Sequence, residues 1–364
     1  MAAPLIWIEA GRRFGFDELV FWQGRGRQRF AEAAAGIDTI VLGPHGSAAF
    51  PAELRPWIAP ALTLRKQCDF SDLTTAGLGR AWARADPHVV YVENPVSRLV
   101  LDPNRAPPSD PMAGLREFHA RLARQRAGEA VTFGGIDAIR PITFGGENVL
   151  LEPASAADWQ ALGDVLADVA ARTVHAYRAC CDEVVQAVLG ARDAAAPLRV
   201  ISLHDTMNTK MRADGAIVVE RPPADRLPRW ANLGNKGDDR GDGMPDRPGA
   251  PADPITLDGA ELRRIAAAWA DALGLEGASR DADILLNRPY KGAFETVHHG
   301  ARLRALGRPR VGALQVEFLR ETLLGPAAVA RLHAPGDDWP AEDTGHVSRV
   351  AAALAQAGQR LRAS

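Results

Sequence analysis

Four residues in this sequence close or follow short apolar runs and could do chemistry there: His45, Asp72, His204 and Glu317. His45 comes after the run 37–42, His204 after 198–203, and Glu317 lies within or at the end of the run 311–318. Asp72 opens a helical pattern shortly after Leu62 and Leu64, read as a short strand. Arg98, Asp102, Asn104 and Arg105 surround a further short run at 99–101. Two histidines and a carboxylate are the ligand set of a catalytic zinc site, with the fourth position left to water. Neutral imidazole and carboxylate both suit a borderline divalent ion. Such an ion lowers the pKa of its water towards ~7 and polarises a carbonyl. A separate carboxylate such as Glu317 could take the water's proton. An arginine such as Arg98 could hold a developing oxyanion. Arg105 could pair through two hydrogen bonds with a substrate carboxylate.

Each residue also has a plainer reading. His45 in Pro-His-Gly could satisfy a turn, and His204 could pair with Asp205. Asp102 could form a buried ion pair with Arg98 or, by holding Arg105, shape a loop. Glu317 could be a solvent-facing strand residue. Their shared placement at strand ends favours the metal site, because ligands of open α/β sheets bind outside the carboxyl ends of the strands.

Strands and helices alternate along the chain. The pattern predicts strands at 37–42, 88–93, 99–101, 198–203 and 311–318. Helices are expected at 73–85 with Asp72 as N-cap, at 158–191, at 262–275 and at 347–361. This order argues for an α/β protein, a mixed, mostly parallel twisted sheet flanked by helices. A Pro-rich loop is expected at 106–117, and a long Pro-, Gly- and Asp-rich loop at about 207–256. No linker separates two cores, so residues 1–364 are expected to form a single catalytic domain.

The 364 residues carry 43 Lys+Arg against 45 Asp+Glu, a net charge of −2 that argues against nucleic acid as a partner. Hydrophobic residues make up 46%, which excludes global disorder. Three cysteines, two of them adjacent at Cys180 and Cys181, exclude a disulfide scaffold and give no metal-binding spacing. No run approaches the ~18 apolar residues of a membrane span. The opening MAAPLIWIEAGRR has no basic segment leading into an apolar one. A cytoplasmic protein with no membrane partner is expected, and its oligomeric state is not legible.

Six blocks in order resemble the N-formylglutamate amidohydrolase (N-formylglutamate deformylase) family. Gly-Pro-His45-Gly-Ser looks like its Pro-His-Ser-Gly block, and Asp72-Leu-Thr-Thr75-Ala-Gly-Leu78 its Asp-x-x-Thr-x-x-Leu block. Ser97-Arg98 through Asp102-Pro-Asn104-Arg105 is similar to Ser-Arg-x-x-x-Asp-Leu-Asn-Arg. Leu203-His204-Asp-Thr, Asn287 through Gly300, and Leu314-Gln315-Val-Glu317 complete the series, which spans about Val41 to Arg320. The resemblance implies a fold of the zinc carboxypeptidase and aspartoacylase kind. It also implies one zinc ion per chain held by His45, Asp72 and His204, with Asp69 as the rival for the acidic position. Glu317 would be the general base and Arg98 would lie near the oxyanion. Asn104, Arg105 and His298 would meet the substrate. The implied activity is zinc-dependent hydrolysis of the amide bond of a small N-acyl or N-formyl amino acid, a substrate with a carboxylate. A carboxypeptidase-like hydrolase of a peptide or modified natural product is the second reading, and a non-catalytic zinc-binding scaffold the third. Val297 stands where the family often has an arginine, which argues that a monocarboxylate is tolerated.

Overall fold

The computed structural model describes residues 3–244 and 254–363. Runs such as Thr39-Ile-Val-Leu-Gly43 and Val89-Val-Tyr-Val-Glu93 have no polar alternation because helices cover both faces of the sheet they enter. Seven strands form that sheet: β1 (Val20–Trp22), β2 (Thr39–Gly43), β3 (Val89–Glu93), β4 (Leu198–Thr206), β5 (Ala231–Gly234), β6 (Ile284–Leu286) and β7 (Val311–Leu319). Their spatial order is β6-β5-β7-β4-β2-β3-β1. The four central strands β7, β4, β2 and β3 run parallel, so their carboxyl ends share one edge. β1 is antiparallel to β3 and β5 antiparallel to β7, while β6 is parallel to β5.

Alternate strand residues face opposite layers. Val41, Tyr91, Ile201, Leu203 and Phe318 pack against α1 (Leu73–Ala85), α5 (Gly259–Ala272) and α7 (Thr344–Ala363). Ile40, Leu42, Val90, Val92 and Val200 meet α4 (Val174–Ala191) and Leu303 of α6 (Phe294–Arg304). A third cluster joins Leu99, Val100 and Leu101 to α3 (Ala156–Arg172). The expected α/β class with a mostly parallel sheet is what forms.

Several expected elements differ. Leu99-Val-Leu101 is buried in a turn, with Val100 N–H donating to Ser97 O at 3.2 Å, and forms no strand. The 158–191 helix is two helices broken at Thr173, whose Oγ1 donates back to Val169 O at 2.6 Å. The 106–117 loop gives way at Pro111 to α2 (Pro111–Arg126), capped by Asp110, whose carboxylate accepts from Ala113 N–H at 2.9 Å. Leu64 begins a short helix, Leu64–Asp69, in place of a strand. The stretch 207–256 holds a small hairpin, Thr209–Met211 with Ile217–Glu220, and the sheet strand β5. The part of that expected loop at 245–253 lies outside the described residues.

Candidate active site

His45 sits just past β2 in a tight turn. A Cβ at Gly46 would come within 2.9 Å of Tyr91 Oη, so glycine lets this turn lie close to the sheet. Asp72 N–H donates to His45 O at 2.9 Å and fastens the start of α1 to the same turn. Asp72 holds the N-cap position, yet its side chain makes no capping bond. Its Oδ2 instead lies 3.2 Å from His45 Nδ1 and 2.9 Å from His204 Nδ1. The three groups are buried, and their ligand atoms lie within 4.8 Å of one another.

The outer nitrogens are also engaged. His45 Nε2 is 2.7 Å from Asp102 Oδ1, and His204 Nε2 is 3.0 Å from Ser202 Oγ and 3.1 Å from Asn104 Nδ2. A ligating histidine needs an acceptor on its second nitrogen to fix ring orientation and tautomer, a part that Asp102 and the Ser202 hydroxyl can take and the Asn104 NH₂ cannot. The donor set and its supports therefore fit a divalent cation. Asp69 stands apart from the trio, with its carboxylate 3.4 Å from Arg320.

The surrounding charges are tightly paired. Burial would raise the pKa of Asp72, but the two imidazoles more than offset it and hold the carboxyl well below its usual range. Burial likewise opposes ionisation of Asp102, and Arg98, His45 and Arg105 overcome it. Arg98 donates to Asp102 Oδ2 from Nε at 3.1 Å and from Nη2 at 2.5 Å, so the buried Arg98–Asp102 ion pair exists while Arg98 still lines the cavity. Arg320 pairs with Asp205, donates to Ser71 O at 2.6 Å and approaches Asp72 Oδ1 at 3.7 Å. Glu317 is 9% exposed and lines the cavity, so it is not a residue of the outer surface. Burial, with the charges of Asp72 and Asp205, pushes its pKa up to about 7 against the pull of His204 and Arg98. Gln315 Nε2 donates to its Oε1 at 3.0 Å.

A cavity of about 330 Å³ opens over His45, Asp72, His204 and Glu317. Arg105 reaches it from the 94–110 segment, with Nε donating to Asp137 Oδ2 at 2.9 Å, so its carboxylate partner is Asp137 and not Asp102. Asn104 lines the cavity as well, but its amide is tied inward, to His204 Nε2 and, through Oδ1, to Glu295 N–H at 3.0 Å. His298 does not line the cavity. The buried face of α6 carries Glu295, Thr296, His299 and Leu303, which turns His298 outward, where it stacks on Phe294 and lies 3.8 Å from Asp182. Asp182, His298 and His299 form a second cluster of possible metal ligands, but Arg302 binds the Asp182 carboxylate. Val297 is 42% exposed and also outside the cavity, so its lack of charge says nothing about the substrate. Lys210, Arg221 and Lys291 supply cationic groups instead. Arg221 is held by Thr206 Oγ1 at 3.1 Å and Tyr290 Oη at 3.4 Å, and its buried Nε has no hydrogen-bond partner.

Sequence reasoning missed Arg320, Arg221, Ser202 and Glu295. Ser202 precedes His204 by two on β4, so a period-two reading of that strand end would have found it. Arg320 follows the end of β7 as the first residue of a short helix, Arg320–Leu324, three positions past Glu317, where no strand period points to it. Arg221 and Glu295 come from distant segments and carry no comparable local signal.

The sequence model of N-formylglutamate amidohydrolases matches residues 37–324, which includes every strand of the sheet but β1. The chain belongs to that family. It is accordingly a hydrolase of carbon–nitrogen bonds. Among solved structures it is similar to an N-formylglutamate amidohydrolase from Ralstonia eutropha JMP134, at 18% identity and a TM-score of 0.47, over 90% of this chain and 95% of that one. It is also similar to a gene product of Agrobacterium tumefaciens, at 15% identity and a TM-score of 0.49, over 91% of this chain and 93% of that one. No curated protein matches it. Among the described residues no helix is long and apolar enough to cross a membrane.

Proposed function

We propose that this amidohydrolase is zinc-dependent and cleaves the amide bond of a small N-formyl or N-acyl amino acid. The observation that carries the reading is the convergence of His45 Nδ1, His204 Nδ1 and Asp72 Oδ2 beneath a cavity that Glu317 also lines. Zinc held by these three residues supplies Lewis acidity, lowering the pKa of water and polarising the acyl carbonyl.

The remaining work falls to the chain. Asp102 accepts the His45 Nε2 proton and keeps the Nδ1 lone pair turned inward. Glu317, whose carboxylate lines the same cavity, takes the proton of the attacking water and returns it to the departing amine nitrogen. Arg98, held by Asp102, offers positive charge to the oxyanion. Arg105 receives the substrate carboxylate. Asp137 grips its Nε and one terminal nitrogen, which orients the guanidinium. The reading includes a cytoplasmic location and one folded catalytic domain.

The test combines elemental analysis with hydrolysis assays on N-formyl amino acids, longer N-acyl amino acids and dipeptides. About one zinc per chain and turnover of the acyl amino acids are expected. Turnover confined to dipeptides would replace this reading with a peptidase, and metal-independent turnover would remove the zinc.

A further inference from the structure

Ser202 and His204 are two residues apart on β4 and face the same side. Ser202 Oγ lies 3.0 Å from His204 Nε2, the ring nitrogen turned away from Asp72. The same hydroxyl donates to Glu295 Oε2 at 2.7 Å, and the other oxygen of Glu295 accepts from Tyr177 Oη at 2.8 Å. Glu295 is 4% exposed, Ser202 1% and Tyr177 0%. Arg178 interacts with Glu295 through its charge, while its Nη2 donates to Pro103 O at 3.1 Å and Arg105 O at 2.9 Å. A buried carboxylate is costly unless its oxygens are hydrogen-bonded. Here both of its oxygens are committed to hydroxyl donors, and one of those leads to a candidate metal ligand.

We propose that Glu295 is a positioning residue for His204, acting through Ser202 to set which imidazole nitrogen carries the proton. The proposal rests on the reading of His45, Asp72 and His204 as metal ligands. Neutral imidazole has one proton for two nitrogens. To offer the Nδ1 lone pair to a cation, His204 must carry its proton on Nε2 and find an acceptor there. A serine hydroxyl can accept or donate. Because its single proton is given to Glu295, Ser202 is left as an acceptor facing Nε2. Asn104 acts the other way. Its Oδ1 accepts Glu295 N–H, so its amide NH₂ faces Nε2 at 3.1 Å and favours a lone pair there. That tautomer directs Nδ1–H at Asp72 Oδ2 and withholds the lone pair from a cation. The Glu295–Ser202 relay is the counterweight that favours the ligating form.

Zinc affinity measured by chelator competition tests this, with the absorption spectrum of the cobalt-substituted protein as a second readout. Glu295→Gln can donate to Ser202 and reverse the hydroxyl, so zinc binding should weaken by about 10–100-fold, the usual effect of losing such an outer partner. Ser202→Ala should weaken it similarly, and Ser202→Thr should retain it. The double variant Ser202→Ala with Glu295→Gln should bind no more weakly than Ser202→Ala alone, because Glu295 acts only through the serine. A purely structural role would lower the melting temperature and leave the zinc affinity of the folded protein unchanged. If Glu295→Gln does not fold, Ser202→Ala against Ser202→Thr decides. Wild-type affinity in Ser202→Ala or Glu295→Gln, or full additivity in the double variant, overturns the proposal. His204→Ala separates the two levels. If it too retains zinc, the ligand reading has failed. If it loses zinc while the relay variants keep it, only the relay has failed.

Discussion

Asp102 joins His45 to Arg98: its Oδ1 is 2.7 Å from His45 Nε2 while its Oδ2 takes both Nε and Nη2 of Arg98. One buried carboxylate thus orients a candidate metal ligand and a candidate oxyanion partner together. Neither can shift without disturbing the other.

Asp102→Asn should therefore affect two measurements. Loss of the charged acceptor behind His45 is expected to lower metal affinity by about 10–100-fold. Arg98, left buried beside a neutral amide, should destabilise the fold by about 3–5 kcal/mol, the range for removing one member of a buried ion pair. Chelator competition reads the first and denaturant unfolding the second. An unchanged metal affinity would show that Asp102 serves Arg98 alone.

Glu317→Gln should keep both the fold and the metal, since Gln315 can still hydrogen-bond the new amide oxygen. Turnover should fall by about 10²–10⁴-fold, the usual share of a general base. Metal content and single-turnover rates on the same preparation check this. A metal-loaded variant with near-normal kcat would remove Glu317 from the proton transfer.

The site was legible in the sequence where function and local pattern coincide. His45, His204 and Glu317 each interrupt or end an apolar run, and the parallel sheet brings those ends to one edge. Asp72 was legible as an N-cap, although its side chain serves the histidines rather than the helix. Glu295 was not legible because its partners Ser202 and Tyr177 come from segments far away in the chain, and Arg221 because its place depends on the hairpin at 209–220 and on Tyr290. Strand β5 escaped notice for a different reason. Ala-Asn-Leu-Gly has a polar residue at its centre, and only the tertiary fold supplies the Asn232 amide with the backbone of Tyr290, at 2.9 Å on both sides. Leu99-Val-Leu101 misleads in the opposite sense. Its apolar side chains are buried under α3, which a turn accomplishes as well as a strand.

His299 predicts a pH-dependent stability. It is 4% exposed and its Nδ1 has no hydrogen-bond partner. Burial, reinforced by His298 and Arg302 against Asp182, pushes its pKa down to about 4. The unfolded chain, with a histidine pKa near ~6.5, takes up this proton first as the pH falls. Stability from His299 is thus fully present above pH ~6.5 and is lost progressively down to the folded pKa, in total about 3 kcal/mol. Denaturant unfolding at pH 7 and pH 4 should show a smaller acid loss in His299→Gln than in the wild type. Equal losses would mean that His299 is protonated in the folded protein without penalty.

Arg105 and Arg221 offer two anchoring points on the same cavity, and they differ in what already holds them. Arg105 has Asp137 as an ion-pair partner, whereas Arg221 is held by the neutral oxygens of Thr206 and Tyr290. A substrate carboxylate at Arg105 shares the guanidinium with Asp137, so geometry matters more than charge there. Arg105→Lys keeps the charge but loses the planar fork, and kcat/KM for N-formyl monocarboxylates should fall by roughly tenfold or more, a difference of about 1.4 kcal/mol. Arg221→Gln should leave monocarboxylates nearly untouched. It should raise KM for substrates with a second carboxylate, because a guanidinium hydrogen bond to a charged group contributes about 1.5–3 kcal/mol. Comparing the two variants on N-formylalanine and N-formylglutamate separates the roles. If Arg221→Gln slows both substrates equally, Arg221 holds the common carboxylate and Arg105 shapes the wall with Asp137.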